Sequence, residues 1–366
     1  VFPKFPTAKI RNRPEKLPRG NIVSATPGYQ ASLDSVALFT DLGRHVLEIK
    51  GARAFDALNG LVTNAIDSVP SGQGCYAFLL NPKGRPVVDL RILATPGFEK
   101  DASRESTSTS QVFWLDIPVN GVDAIHTHFT KYIPPVFAHY SSPELHVVSL
   151  LGPRAVECLR SVLSALKLTP TLDLGQLPHL GMTTLSLEAL IVRREKIEGD
   201  GIDLYIPSHE IELFMPALEE GVHALGGVMG TPPEWDIIRV EKGLPIYGRE
   251  LTSERLVQEA CQDERGISFE KGCFTGQEVV ARIHYRGHVN RMLRGLQIPS
   301  GPPDLHSGDI LTRNGRTIGS VHSVVSSPRF GRLGLAYIRR ELEPGEHVST
   351  VDQSIQNIQI TDLPFT

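Results

Sequence analysis

Two hydrophobic periods run through this chain, and the helical one disappears near residue 290. His45 to Lys50 alternates, with Leu47 and Ile49 on one side and Glu48 and Lys50 on the other, as in a half-buried strand. Ala52 to Asn59 has helical spacing closed by Gly60, and Cys75 to Leu80 is almost wholly apolar, as an interior strand is. Asn81-Pro82-Lys83-Gly84 is a turn, Val87 to Leu93 the return strand, and Trp114 to Ile117 the next. Pro153 opens a helix with Val156, Leu159, Leu163 and Leu166 on one stripe. Beyond about 292 only strand signals remain. Asn314-Gly315 joins Ile310–Arg313 to Arg316–Val321 as a hairpin, then come Leu333–Ile338 and a Pro344-Gly345 turn. The pattern predicts an α+β body followed by a small β-barrel or sandwich. The expected units are 25–145, 146–290 and 291–366, with a basic arm over 1–24 and a polar, flexible insertion over 99–111.

Composition narrows the function. The chain has 366 residues, 40% of them hydrophobic and 21% charged, with a formal net charge of −4. That balance argues against a general nucleic-acid binder, and no apolar run is long enough for a transmembrane helix. The start is different: Lys4, Lys9, Arg11, Arg13, Lys16 and Arg19 face one acid, Glu15, and the first residue is Val1. This fits the remnant of a transit peptide and suggests the mitochondrial matrix. Four scattered cysteines with no C-x-x-C pair fit free thiols in a reducing compartment. Cys75, Cys158 and Cys261 have apolar neighbours and are expected unpaired and largely buried.

Cys273 differs from the other three. It lies in SFEKGCFTGQEVVARIHYRGHVN, just ahead of Thr275-Gly276-Gln277-Glu278, which has the Thr-x-x-Glu form of a capping box. Val279, Val280 and Ile283 supply an apolar helical stripe, so Thr275 is the expected N-cap and Cys273 sits just outside a helix N-terminus. Gly272 and Gly276 remove bulk around the sulfur, and Lys271, Arg282, Arg286 and Arg291 make the neighbourhood cationic. The helix N-terminus and the cations favour a thiolate, the form that attacks an electrophile or binds a soft metal, and the glycines leave room for a ligand to approach. A nucleophilic role would call on His284 or His288 as base. A role as a soft-metal ligand would need further ligands from elsewhere, because this chain has no grouped set of cysteines.

KGCFTGQEVVAR resembles the signature of the YgfZ-type folate-binding-fold proteins. IIRVEKGLPIYGREL (237–251), GLVTNAID (60–67) and YAFLLNPKGRPVVDLRIL (76–93) resemble the related aminomethyltransferase of glycine cleavage. The resemblance covers roughly 36–345. It implies an aminomethyltransferase-like folate-binding fold with a C-terminal β-barrel and a central channel able to take tetrahydrofolate. It also implies a late-acting factor in mitochondrial [4Fe-4S] cluster assembly, with Cys273 giving one ligand to a cluster shared with an A-type carrier. The alternative is a folate-dependent aminomethyl or one-carbon transferase.

Asp89, Tyr247 and Glu250 are the expected cofactor-binding residues, with Lys271, Gly272, Gly276, Gln277, Glu278 and Arg282 supporting Cys273. Arg239 and Glu241 read as salt-bridge residues. Two departures bear on catalysis: the family's adjacent aspartates appear here as Asp89-Leu90, and its Glu-Asp-Gly segment as Gly199-Asp200-Gly201.

Overall fold

A computed structural model of the chain describes residues 26–95, 111–185, 189–195 and 198–366. The expected arm and residues 99–110 of the expected insertion lie outside them. The first stretch runs α1 (Pro27–Asp34), β1 (Ala37–Phe39), β2 (Arg44–Gly51), α2 (Ala54–Asn59), β3 (Gln73–Leu80), β4 (Pro86–Ala94), β5 (Gln111–Pro118), α3 (Val122–Tyr132) and β6 (His139–Ser141). The second runs β7 (Leu145–Leu151), α4 (Ala155–Ala165), β8 (Met182–Thr184), β9 (Leu190–Arg193), β10 (Gly201–Pro207), α5 (Ile211–Ala224) and β11 (Val228–Met229). Three helices follow, α6 (Pro232–Glu241), α7 (Asp263–Gly266) and α8 (Gln277–Arg286). The last strands are β12 (Arg291–Ile298), β13 (Ile310–Arg313), β14 (Arg316–Ser327), β15 (Gly331–Arg339), β16 (His347–Thr350) and β17 (Ile358–Thr361).

These strands form a five-stranded antiparallel sheet, β3-β4-β5-β2-β6, a six-stranded sheet, β11-β1-β7-β10-β9-β8, and a closed barrel, β12-β15-β14-β13-β16-β17. The expected β-only C-terminal region is therefore a barrel, with the Asn314-Gly315 hairpin where the sequence puts it. β1 leaves the first stretch to pair with β7 and β11, so the two αβ stretches share a sheet.

Strand β4 shows how the sheets are used. Val88, Leu90 and Ile92 enter the apolar cluster under the five-stranded sheet with Leu47, Ile49, Phe113 and Phe129. The alternate residues Asp89, Arg91 and Leu93 face the other way, toward the six-stranded sheet. Leu93 meets Met182, Val192 and Tyr205 there. Arg91 bridges the two sheets: it pairs with Asp116 of β5 and, at 2.6 Å, with Asp203 of β10. Tyr205 of β10 donates its hydroxyl to Asp116 at 2.7 Å, and Arg194 and Ser149 complete Asp203 at 2.7 and 2.6 Å. Burial alone would raise the Asp203 carboxyl, but the Arg194 and Arg91 guanidiniums hold it below the usual range.

Helix α6 carries the capping box that the sequence does contain. Thr231 and Glu234 satisfy each other's backbone N–H groups, and Glu234 also accepts from Gly28 and Tyr29 at 2.8 and 3.2 Å. One carboxylate thus caps α6 and α1 together. The Gly28 Cα lies so close that an added Cβ would fall 2.4 Å from the Glu234 carboxylate.

Replacing Arg91 with Met should strand buried carboxylates and cost about 3 kcal/mol, read from the denaturant midpoint. Because the folded Asp203 pKa is depressed, its contribution is present above the unfolded carboxylate value and is lost as pH falls through the folded one. Acid titration of Asp203→Asn should therefore show a shallower loss of stability below about pH 4 than the parent; parallel curves would remove Asp203 from the account.

Candidate functional site

The two sheets and α6 enclose a cavity of about 640 Å³, within the range of sites that hold a small organic ligand. Loop 41–44, Tyr76, Asp89 and Arg91 form one wall; Trp235, Asp236 and Arg239 of α6 with loop 244–249 form another. Arg194, Glu198 and Arg265 close the floor. Most of these charges are already paired. Arg265 reaches Glu195 and Glu198 while its guanidinium lies over the Tyr76 ring, 3.8 Å from the centroid. Burial would raise the Glu198 carboxyl, yet Arg194, Arg91 and Arg265 pull it far below its ordinary value.

Among the described residues Asp89 makes no ion pair, and, like Glu198 Oε2 and Arg194 Nε, it leaves a buried atom without a hydrogen bond. It is 6% exposed, Tyr76 donates to its Oδ2 at 3.1 Å, and its buried Oδ1 has no partner in the structure. Burial raises its pKa, against the opposing pull of Arg44 and the Tyr76 hydrogen bond. A buried acceptor left open at a cavity wall is a place for a ligand N–H. Leu90, in place of a second aspartate, points into the apolar cluster instead. The pleat allows one carboxylate of an adjacent pair to face this cavity, and Asp89 is that one.

The other expected cofactor residues divide. Tyr247 lines the cavity, and its phenol is raised by burial and by the Asp89 charge. Glu250 does not reach it. Fully buried, Glu250 accepts from Ser323 at 2.5 Å, from Arg239 at 3.4 Å and from the Ile246 N–H at 3.1 Å. It ties α6 and the 244–250 turn to the barrel, because Gly243 reverses the chain just after the helix and directs Glu250 at β14. Arg239 is the structural residue expected: besides Glu250 it bonds Asp236, the Leu244 carbonyl and Ser323. Glu241 takes Tyr29 and Ser327 at 2.7 and 2.5 Å. Asp200 is exposed, while its neighbour Glu198, not singled out in the sequence, forms the cavity floor. The signal for Glu198 lay in its place ahead of Gly199, whose φ of +97° turns the chain back into β10.

The Cys273 segment departs from expectation in two ways. Thr275 is not the N-cap: α8 starts at Gln277 after Gly276, and no side chain caps it. Gly276 is left-handed at φ +82°, and an added Cβ would lie 2.5 Å from the Asn81 carbonyl. The segment is shaped by docking on the β3–β4 turn, which overrides the local capping pattern. Lys271 does not face the thiol either. Its ammonium donates to the carbonyls of Asn59, Val62 and Asn64 at 2.8, 2.7 and 2.9 Å. Burial lowers it to about 8.

Cys273 is exposed and is not among the cavity-lining residues. Phe274 behind it is buried, and the Thr275 N–H bonds the Gly60 carbonyl at 3.2 Å, so Gly272 and Cys273 form a short crest between anchored neighbours. Gln277, Glu278 and Arg282 lie on α8, with Glu278 and Arg282 exposed. His284 stacks on Phe269 at 3.6 Å, and no recorded hydrogen bond links it or His288 to Cys273. Among the described residues no group of three or more His, Cys, Asp or Glu side chains is arranged to hold a metal.

All four cysteines are free. Cys158 is buried and Cys75 half-buried, the latter's thiol pushed up to about 12 by burial. Cys261 is exposed, contrary to expectation: between buried Ala260 and Gln262 it adopts φ +55° and turns outward.

Sequence comparison gives this geometry a family. Residues 28–262 match the GCVT N-terminal domain, and residues 291–366 match the glycine cleavage T-protein C-terminal barrel domain. The chain belongs to the glycine cleavage T-protein family. It is 26% identical over 322 residues to an aminomethyltransferase of Thermoanaerobacter sp. (strain X514), covering 85% of this chain and 80% of that one. With the aminomethyltransferase of Bacillus subtilis it shares 24% identity, over 92% and 89% of the two chains. A putative chloroplastic transferase of Arabidopsis thaliana is 29% identical over 46% of this chain and 37% of its own. The crystal structure of glycine cleavage system aminomethyltransferase T from Bartonella henselae superposes with a TM-score of 0.78 at 19% identity, over 93% and 88% of the chains. The fold is thus that of the aminomethyltransferases.

Gly276→Ala should be destabilised by about 1–3 kcal/mol, since it combines left-handed backbone with a carbonyl clash. Gly272→Ala, whose added Cβ meets nothing within 4 Å, should be near neutral by the same thermal denaturation assay.

Proposed function

We propose that this chain binds tetrahydrofolate in the central cavity and acts as a folate-dependent aminomethyl or one-carbon transferase. The observation that carries the reading is the unpartnered Asp89 Oδ1, buried on the cavity wall beside Tyr76 and Tyr247. A reduced pterin presents ring N–H donors, and a carboxylate in a low-dielectric wall is a strong acceptor for them. Tyr247 and Trp235 add aromatic rings to the lining, while the Tyr76 ring is covered on one face by the Arg265 guanidinium. When bound, tetrahydrofolate would bring the amine that carries the one-carbon unit. The chain's part is to orient it, hold Asp89 by the Tyr76 hydroxyl, and keep water out of the wall.

Asp89→Asn should weaken tetrahydrofolate binding by about tenfold or more in a calorimetric titration, at unchanged thermal stability. In the parent, affinity should rise with pH through an Asp89 pKa raised above the ordinary carboxylate value. Transfer or release of formaldehyde from loaded folate distinguishes an enzyme from a binding protein. Equal affinity of parent and Asp89→Asn would sink the assignment of Asp89.

A second reading rests on Cys273. It is an exposed free thiol on a crest fixed by Lys271, Phe274 and Thr275, and it is not among the cavity-lining residues. In this reading the chain is a YgfZ-type factor of the mitochondrial matrix that acts late in [4Fe-4S] assembly, giving Cys273 as one ligand to a cluster shared with an A-type carrier. Mixing the protein with a cluster-loaded A-type carrier should produce a complex with its own visible absorption, lost in Cys273→Ser. An unchanged spectrum in that variant would exclude Cys273 as a ligand. The two readings use separate residues, so Asp89→Asn and Cys273→Ser test them independently.

A further inference from the structure

Helix α8 leaves one face uncovered, and its chemistry is uneven. No Asp or Glu occurs between Val279 and Pro303, whereas Arg282, Arg286, Arg291 and Arg294 do, with His284 and His288. Arg294 is paired with Asp362 at 2.7 Å. Arg282, Arg286 and Arg291 are exposed, and among the described residues none of their side chains makes an ion pair or hydrogen bond. Acids flank this segment: Glu264 and Glu270 are exposed on the stretch that carries Phe269, Glu278 lies one helical turn before Arg282, and Asp263 is half-buried near His284. Along the chain itself, Arg286 and Arg291 follow without an acid until Asp304.

A rigid aromatic platform stands at the C-terminal end of α8. Phe269 and His284 stack with centroids 3.6 Å apart and planes within 16°, and Tyr285 meets His284 edge-on at 4.8 Å. Tyr285 is 66% exposed. The helix beneath is held by buried Val280, whose carbonyl accepts from Gln258 at 2.9 Å. An exposed tyrosine on a packed base, with unpaired arginines before and after it in the chain, has the composition of a protein-interface hot spot. Every cation from Gly272 to Thr366 is Arg or His, and the guanidinium fork is the group that grips carboxylates in pairs.

We propose that the C-terminal end of α8, with Tyr285 and, before and after it in the chain, Arg282, Arg286 and Arg291, docks an acidic surface of another protein. Charge complementarity selects this occupant: the free groups are arginines without acids to answer them. A nucleic acid fits less well, because three arginines without a continuing basic stripe, on a chain of net charge −4, fall short of a phosphate track. The surface lies outside the cavity lining and uses neither Asp89 nor Cys273, so it stands whichever reading of the function holds.

The test is fluorescence anisotropy with a labelled short polyglutamate peptide, compared with a single-stranded oligothymidylate of equal charge, on the full chain. Saturable polyglutamate binding should weaken about tenfold in Arg282→Glu/Arg286→Glu/Arg291→Glu and be reduced in Tyr285→Ala. Thermal midpoints should stay unchanged, since all four side chains are exposed. Absence of saturable binding, equal binding by the charge-reversed protein, or tighter binding of the oligonucleotide would each overturn the proposal.

Discussion

Arg91 is the residue on which the architecture turns. It rises from a strand of one sheet, pairs with Asp116 of the neighbouring strand, and crosses to Asp203 of the other sheet. A guanidinium buried this deeply is costly unless every donor meets an acceptor, and a carboxylate beside it is costly unless it is met in return. Tyr205, Ser149, Arg44 and Arg194 supply those partners, from both sheets. The consequence is geometric. Two sheets joined by a polar network, rather than by an apolar interface alone, are held in one register and leave a polar-lined space where the network ends.

That space is the cavity, and the same pleat builds both. Asp89 and Arg91 are two residues apart on β4, hence on one face and one repeat distant. Arg91 closes the interface; Asp89, one step nearer the edge, finds only Tyr76 and keeps one oxygen free. The apparent loss of an aspartate at Leu90 changes little, because position 90 belongs to the opposite face. Sequence motifs count residues, whereas a sheet counts every second one.

Much of the fold was legible because hydrophobic period and turn chemistry are local. Strands β2 to β5, helices α2 and α4, the Asn314-Gly315 hairpin and the change of composition near 290 are all set by short-range pattern. Helix α5 was not singled out, with Pro216 and Gly221 inside it weakening the helical signal. The capping box at Thr231 hid behind two prolines, while the better-looking one at Thr275 does not form. The difference is tertiary: Glu234 gains Gly28 and Tyr29 as further donors, whereas Gly276 is drawn into left-handed backbone against Asn81. Asp89 and Tyr247 do line the cavity, but Glu250 could not be told from a lining residue, since a carboxylate three residues beyond a lining tyrosine reads the same whether it faces the cavity or Ser323.

The Lys271 cage gives the last link between the halves of the molecule. Its three acceptors lie at the end of α2 and in the turn that follows, so the segment bearing Cys273 is fastened to the first stretch of the chain although it lies more than 200 residues later. Asn59 is the final residue of α2, where unpaired carbonyls and the negative end of the helix dipole favour a cation. The stretch from Lys271 to Thr275 therefore closes the αβ body before the chain enters the barrel. A lysine in that position explains the motif without reference to the thiol. What remains unexplained by packing is the crest itself: Gly272 meets nothing, Cys273 faces solvent, and neither is needed to fill a core. A loop so firmly anchored on both sides could have been closed by any small residues, and it presents a sulfur instead.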